Sequence, residues 1–306
     1  GKNAKSGIYM AIAHIAKKDG LKISVVYEDD EGKAQTAVNA TKKLISTDKV
    51  QIIVGEAASG LTKAIAPICN KNQVVLFSPI SSASELTQEG GEYFFRVCPS
   101  DAFQARILAK WLIDEKLNTV SILFVNNSWG TSLKDEFIKS FEKNNGKVTS
   151  TEACKEGDRD FTSHIAKMAA HNPTAFVVFT YGKEGGAFLR QAKEQGIKLP
   201  IFGGDVWGSP ELLEAAGEAA EGVYFTFPAD PSGKLYNTFK NQYHELYKKA
   251  PDIYASYAYD LMHIVANAFL SGAKTGPEIR NYLLKMDTFT GVTGATRFDK
   301  NGDVVT

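Results

Sequence analysis

The sequence is poor in the features that mark most kinds of chemistry. Its three cysteines, Cys69, Cys98 and Cys154, are odd in number, far apart and lack any Cys-x-x-Cys spacing. One disulfide is compatible with this pattern but none is indicated, and the plainer reading is three buried thiols that pack as small hydrophobes. The five histidines, His14, His164, His171, His244 and His263, show no paired metal spacing, so no metal and no other cofactor is expected. Also absent are Gly-x-Ser-x-Gly, the Walker-type phosphate loop, His-Glu-x-x-His, and a Gly-x-Gly-x-x-Gly that follows a strand. The chain therefore does not read as an enzyme. No run approaches the roughly 20 apolar residues that span a bilayer. Net charge is lacking too: 35 Lys and Arg balance 35 Asp and Glu, which leaves nothing to draw the whole molecule to nucleic acid or an anionic membrane.

What is present is enough apolar material, 43% of 306 residues, to fill two cores. Helical spacing alternates with short β-branched runs throughout, the pattern of an α/β protein with parallel sheets covered by helices. Strands are expected at residues 22–27, 50–54, 74–77, 120–125, 175–179 and 201–203. Helices are expected at 8–16, 34–46, 61–69, 103–115, 132–143, 185–195, 234–248, 255–269 and 277–286. Two strand-like runs end at proline, 96–100 at Pro99 and 225–231 at Pro228, where the fixed φ disfavours helix. They read as crossings between two lobes, residues 1–100 with 230–306, and 101–229, about which the molecule opens and closes. The chain opens on a helix, where a doubly wound sheet normally begins with a central strand, and stops at Asp303-Val304-Val305-Thr306, which resembles the start of a strand. On this reading the native protein extends beyond both ends.

Hydroxyl-rich turns follow two of the expected strands directly. Gly55 to Thr62 contains Ser59, and Ser78-Pro79-Ile80-Ser81-Ser82 repeats the design one strand later. In a parallel sheet both turns lie at one edge, so Ser59 and Ser82 can converge on one anion, with a helix N-terminus behind it. Each serine could equally be a helix cap. In the second lobe, Asn127-Ser128-Trp129-Gly130, Tyr181-Gly182 and Gly204-Asp205-Val206-Trp207 likewise follow strands. Asp205 could pair with an ammonium, while Trp129 and Tyr181 could cover an apolar side chain. The plainer readings are core packing for the aromatics and a helix cap for the acid.

These residues resemble periplasmic binding proteins of the leucine/isoleucine/valine type, the substrate-binding components of ABC importers. The likeness runs through Leu76-Phe77-Ser78-Pro79-Ile80-Ser81-Ser82, Tyr93-Phe94-Phe95-Arg96-Val97-Cys98-Pro99-Ser100-Asp101 and Gly157-Asp158-Arg159-Asp160-Phe161. It continues in Tyr257-Ala258-Tyr259-Asp260, in residues 289–294 and in residues 298–303, and so covers nearly the whole chain. The resemblance implies a type I fold of two doubly wound parallel-sheet lobes joined by a multi-strand hinge. It places the ligand carboxylate on Ser59, Ser82 and the backbone around Ile80 and Ser81, and the ammonium on Asp205, where the best-known members carry Glu. Trp129 falls at the aromatic lid position, where a Tyr is familiar, and Tyr181 lies nearby. The implied ligand is a free amino acid, branched-chain or otherwise apolar, and the implied partner is an ABC permease. The expected protein is monomeric, exported behind a signal peptide, and periplasmic or extracellular, either free or lipid-anchored. The same lobes also serve as ligand-binding regions of amino-acid sensors and signalling receptors.

Overall fold

The computed structural model describes residues 2–229 and 231–305. The chain divides into two compact units, Gly1–Ser100 with Ala229–Thr306, and Asp101–Pro228. Asp230, within the expected second crossing, and Thr306, the last residue of the expected closing strand, lie outside the described residues.

In the first unit the strands β1 (Ile52–Val54), β2 (Val75–Ser78) and β3 (Phe94–Arg96) form a parallel sheet in the order β1-β2-β3. The four residues of β2 are all buried, the mark of a strand covered on both faces. Side chains alternate between two cores, as the two-residue period of a strand requires. Val75, Phe77 and Phe95 enter one core with the long apolar helix Ile253–Leu270, while Ile53, Leu76 and Phe94 enter the other with the helices Ala34–Ser46 and Ser59–Lys71. The free side of β3 is met by the C-terminal turn, where Arg96 N–H donates to Gly302 O at 3.1 Å. Gly302 has φ +79°, and a Cβ there would stand 2.1 Å from Phe94 O, so the close approach requires glycine.

In the second unit the strands β4 (Thr119–Val125), β5 (Lys147–Cys154), β6 (Ala175–Phe179), β7 (Ile201–Gly203) and β8 (Tyr224–Phe225) form one parallel sheet in the order β5-β4-β6-β7-β8. The order reverses direction between β4 and β6, the topological switch point at which open α/β sheets form a crevice. Strand β5 was not legible in the sequence, because at this edge only Cys154 of its eight residues is buried. The helix Thr162–Ala170 was also missed.

The expected strand at residues 22–27 is corrected: none of these residues belongs to a strand. A strand is made by its neighbour's hydrogen bonds, and among the described residues nothing pairs with this segment. Val25, Val26 and Tyr27 are 37%, 44% and 40% exposed. A cavity of about 460 Å³ lies between them and Ile52 and Val54 of β1. Hydrogen exchange should therefore show the amides of Val25, Val26 and Tyr27 opening at a cost of about 0 kcal/mol, while those of Leu76 and Phe77 open only near the global unfolding free energy. Strong protection at residues 25–27 would contradict this account.

Candidate functional site

In the first unit the register sets Val54 beside Phe77, so β1 and β2 release their chains at the same edge. Beyond β1 the helix Ser59–Lys71 begins at an N-cap, Ala58, that supplies no side-chain hydrogen bond. Alanine lacks the oxygen with which Ser, Thr, Asp or Asn closes such an end, so the first N–H groups of the helix keep their affinity for an anion. Ser59 Oγ accepts the N–H of Ala83 at 3.2 Å, which joins the two turns and leaves the hydroxyl proton of Ser59 to be donated elsewhere.

The second turn is braced from within. Ser78 Oγ accepts the N–H groups of Ile80 (3.2 Å) and Ser81 (2.9 Å) and donates to Glu56 O at 2.6 Å. Ser81 Oγ donates to the same carbonyl at 2.8 Å, so its 2.7 Å bond with Thr62 must take its proton from Thr62. The amides of Ile80 and Ser81, expected as ligand donors, are thus directed at Ser78. Ser82 makes no hydrogen bond to any described residue.

Behind this turn lies Arg96, wholly buried. Its Nε donates to Asp303 Oδ1 at 2.6 Å, and its Nη1 donates to Ser81 O (3.4 Å) and Ala83 O (2.7 Å). Nη2 donates to Thr87 Oγ1 at 2.8 Å, and that hydroxyl donates to Asp303 Oδ2 at 2.6 Å. The Ser81 carbonyl and the Ser82 N–H belong to one trans peptide, and its planarity sets them in opposite directions. Holding the carbonyl on Arg96 therefore turns the Ser82 N–H away from Arg96, unclaimed.

In the second unit, β4 and β6 flank the switch point. Beyond β4, Asn127 caps the helix Ser128–Lys143 by accepting Gly130 N–H at 2.9 Å, and its Nδ2 donates to the Tyr181 hydroxyl at 3.0 Å. Tyr181, just beyond β6, stacks on Trp129 with ring centroids 5.0 Å apart and planes inclined by 15°. Asp205 opens the short turn beyond β7. Burial raises its carboxyl pKa, while hydrogen bonds from Gln104 and backbone N–H groups oppose that shift. Among the described residues no Lys, Arg or His pairs with it.

The structure thus joins Ser59 to the second turn, pairs Trp129 with Tyr181 and holds Asp205 half-buried. Sequence reasoning missed Ser78, Thr62, Asn127, Arg96 and Gln104. A Ser directly at the end of β2 was a usable signal for Ser78, whereas Gln104 and Asp205 are 101 positions apart and carry no local signal.

The profile of the family described as "Periplasmic binding protein" matches residues 1–306. The chain belongs to the periplasmic binding protein family. This is a family of solute-binding proteins rather than enzymes, and its type I members share the α/β fold seen here. The chain is 29% identical to the leucine-, isoleucine-, valine-, threonine- and alanine-binding protein of Pseudomonas aeruginosa, over 99% of this chain and 83% of that protein. Solved structures similar to it include the following two. The leucine-binding protein LivK of Thermotoga maritima superposes with a TM-score of 0.92 at 29% identity, covering 99% of this chain and 88% of LivK. The branched-chain amino acid transporter substrate-binding protein LivJ of Streptococcus pneumoniae, in complex with isoleucine, gives 0.88 at 32% identity over 99% and 88%. Among the described residues of this family member no helix is long and apolar enough to cross a membrane, and no cluster of metal-binding side chains occurs. All three cysteines are free and buried.

Two measurements test the first-unit site. Arg96→Met should cost about 3–5 kcal/mol of unfolding free energy in urea, because it leaves Asp303 and two carbonyls without their cation; a loss below about 1 kcal/mol would show the pair to be dispensable. Glu56, beside the turn, has its carboxyl pKa pushed up to about 8, first by burial and then by the Asp30 carboxyl. Below about pH 4.5 both folded and unfolded states hold this proton, and between there and about pH 8 only the folded state does. The stabilisation is therefore full in acid and lost as pH rises towards 8. Stability curves of the parent and of Glu56→Gln should diverge across that window, with the variant favoured at the alkaline end. Parallel curves would refute the assignment.

Proposed function

We propose that this protein captures a free aliphatic amino acid, leucine, isoleucine or valine, outside the cytoplasm and presents it to the permease of an ABC importer. The observation that carries this reading is Asp205, a half-buried carboxylate held by neutral donors alone, with no cationic side chain among the described residues to pair with it. Burying such a charge is costly unless a partner arrives, and an α-ammonium is a fitting partner. Within the first unit, the Ser82 N–H and hydroxyl, the Ser59 hydroxyl and an uncapped helix N-terminus are donors of the kind that suit a carboxylate. Of the stacked pair, Trp129 packs in the core of the second unit and backs the partly exposed Tyr181, whose ring is apolar surface suited to an aliphatic side chain. The relatives support the same ligand class, since the Pseudomonas protein is named for binding leucine, isoleucine, valine, threonine and alanine, and the Streptococcus structure holds isoleucine.

A thermal-shift screen of the natural amino acids should single out the aliphatic ones, each adding about 2.7 kcal/mol of stability at 100 times its Kd. By calorimetry, Asp205→Ala should lose about 3–5 kcal/mol of binding free energy, because an ammonium is then buried unpaired. Unchanged affinity in that variant would overturn the reading.

A further inference from the structure

Asp205 is not placed by its own backbone alone. Gln104, in the first turn of the helix Asp101–Asp114, reaches across to it with both ends of its side-chain amide. Gln104 Nε2 donates to Asp205 Oδ1 at 3.0 Å, and Gln104 Oε1 accepts the N–H of Asp205 at 2.9 Å. The same Oε1 accepts from Thr226 Oγ1 at 2.8 Å, so one amide ties together the chain beyond β7 and the chain beyond β8. Gly204 permits the approach, since a Cβ there would stand 3.0 Å from Gln104 Oε1. This orientation of the amide is the one that satisfies all three bonds; the flipped one would set NH2 against the Asp205 N–H and Oε1 against Asp205 Oδ1.

We infer that Gln104 is the positioning residue that makes Asp205 a receptor for an ammonium and not for a neutral group. The inference rests on the amino-acid reading above. A donor on Oδ1 favours the ionised carboxylate, the form that attracts a cation, whereas a protonated carboxyl in the same place could itself donate and accept a ligand with a neutral hydroxyl or amide. Burial works towards protonation and is the largest effect, while Gln104 and the N–H groups of Val206 and Asp205 work against it; no ionised side chain contributes. Gln104 thereby sets which class of ligand is held: α-amino acids over analogues in which a neutral hydroxyl stands in place of the ammonium.

The test compares leucine with its isostere 2-hydroxy-4-methylpentanoate, by calorimetry from pH 4 to pH 8, on the full chain. Gln104→Met removes the donor and both acceptor bonds, whereas Gln104→Glu keeps size and acceptor bonds but sets a second carboxyl group in place of the donor beside Asp205, which also favours a protonated Asp205, and its retained bonds guard against a folding defect. In both variants the acid limb of leucine affinity should move up by about one pH unit or more. In Gln104→Met at neutral pH the preference for leucine over the hydroxy acid should also fall about tenfold. Ser121→Ala, which removes a buried hydrogen bond to Met168 O in the same unit, reports loss of stability alone and should leave limb and preference in place. The inference is overturned if both Gln104 variants keep the parental limb and preference while Asp205→Ala abolishes binding, or if Ser121→Ala reproduces their shift. If Asp205→Ala itself binds leucine normally, the amino-acid reading fails and this inference with it.

Discussion

A guanidinium sealed inside the first unit is the constraint on which the candidate anion cradle depends. Arg96 has no solvent to hydrate it, and a buried charge persists only if its donors are all engaged. The groups that engage it come from distant parts of the chain: the Ser81 and Ala83 carbonyls, the Thr87 hydroxyl, and Asp303 from the C-terminal turn. The turn 78–87 is consequently held from behind, through its carbonyl oxygens. Rigid trans peptides convert that grip into an outward supply of N–H at Ser82. The inner bracing by Ser78 and Ser81 on Glu56 O works in the same sense, restraining the turn at the cost of its own donors.

The second unit solves a related problem with the opposite polarity. There a neutral amide, Gln104, stands where a cation might have stood, and an acid is the group being held. Had an arginine occupied this position, Asp205 would be paired internally and have little attraction for a ligand ammonium. A neutral clamp orients the carboxylate without satisfying its charge, and under the function proposed above that preorganisation leaves the strong interaction to the ligand ammonium. The Trp129–Tyr181 stack, in which Trp129 belongs to the core and Asn127 donates to the Tyr181 hydroxyl, lies just beyond β4 and β6 of the same sheet.

Much of the architecture was legible because it rests on periodicity. The apolar run at β2, the buried run at β6 and the amphipathic helix Ala34–Ser46 each signal their structure within one window of sequence. The segment 22–27 reads as a strand on the same logic and is not one, since its β-branched residues express a preference that only a hydrogen-bonded neighbour can realise. Strand β5 errs the other way: its polar residues give no apolar signal, yet β4 supplies it with a ladder along its length.

By itself, therefore, the sequence determined the α/β class, the order of most elements, and the residue types gathered beyond the strands: hydroxyls after β1 and β2, aromatics after β4 and β6, and an acid after β7. The tertiary structure decided which of those groups are already spent and which stay unclaimed. Ser78 and Ser81 turn inward on Glu56 O while Ser82 does not, and Asp205 is held by Gln104 from 101 residues away. The reason is physical: periodic burial is a local property of the chain, whereas the satisfaction of a polar group depends on which distant atoms come within about 3 Å of it.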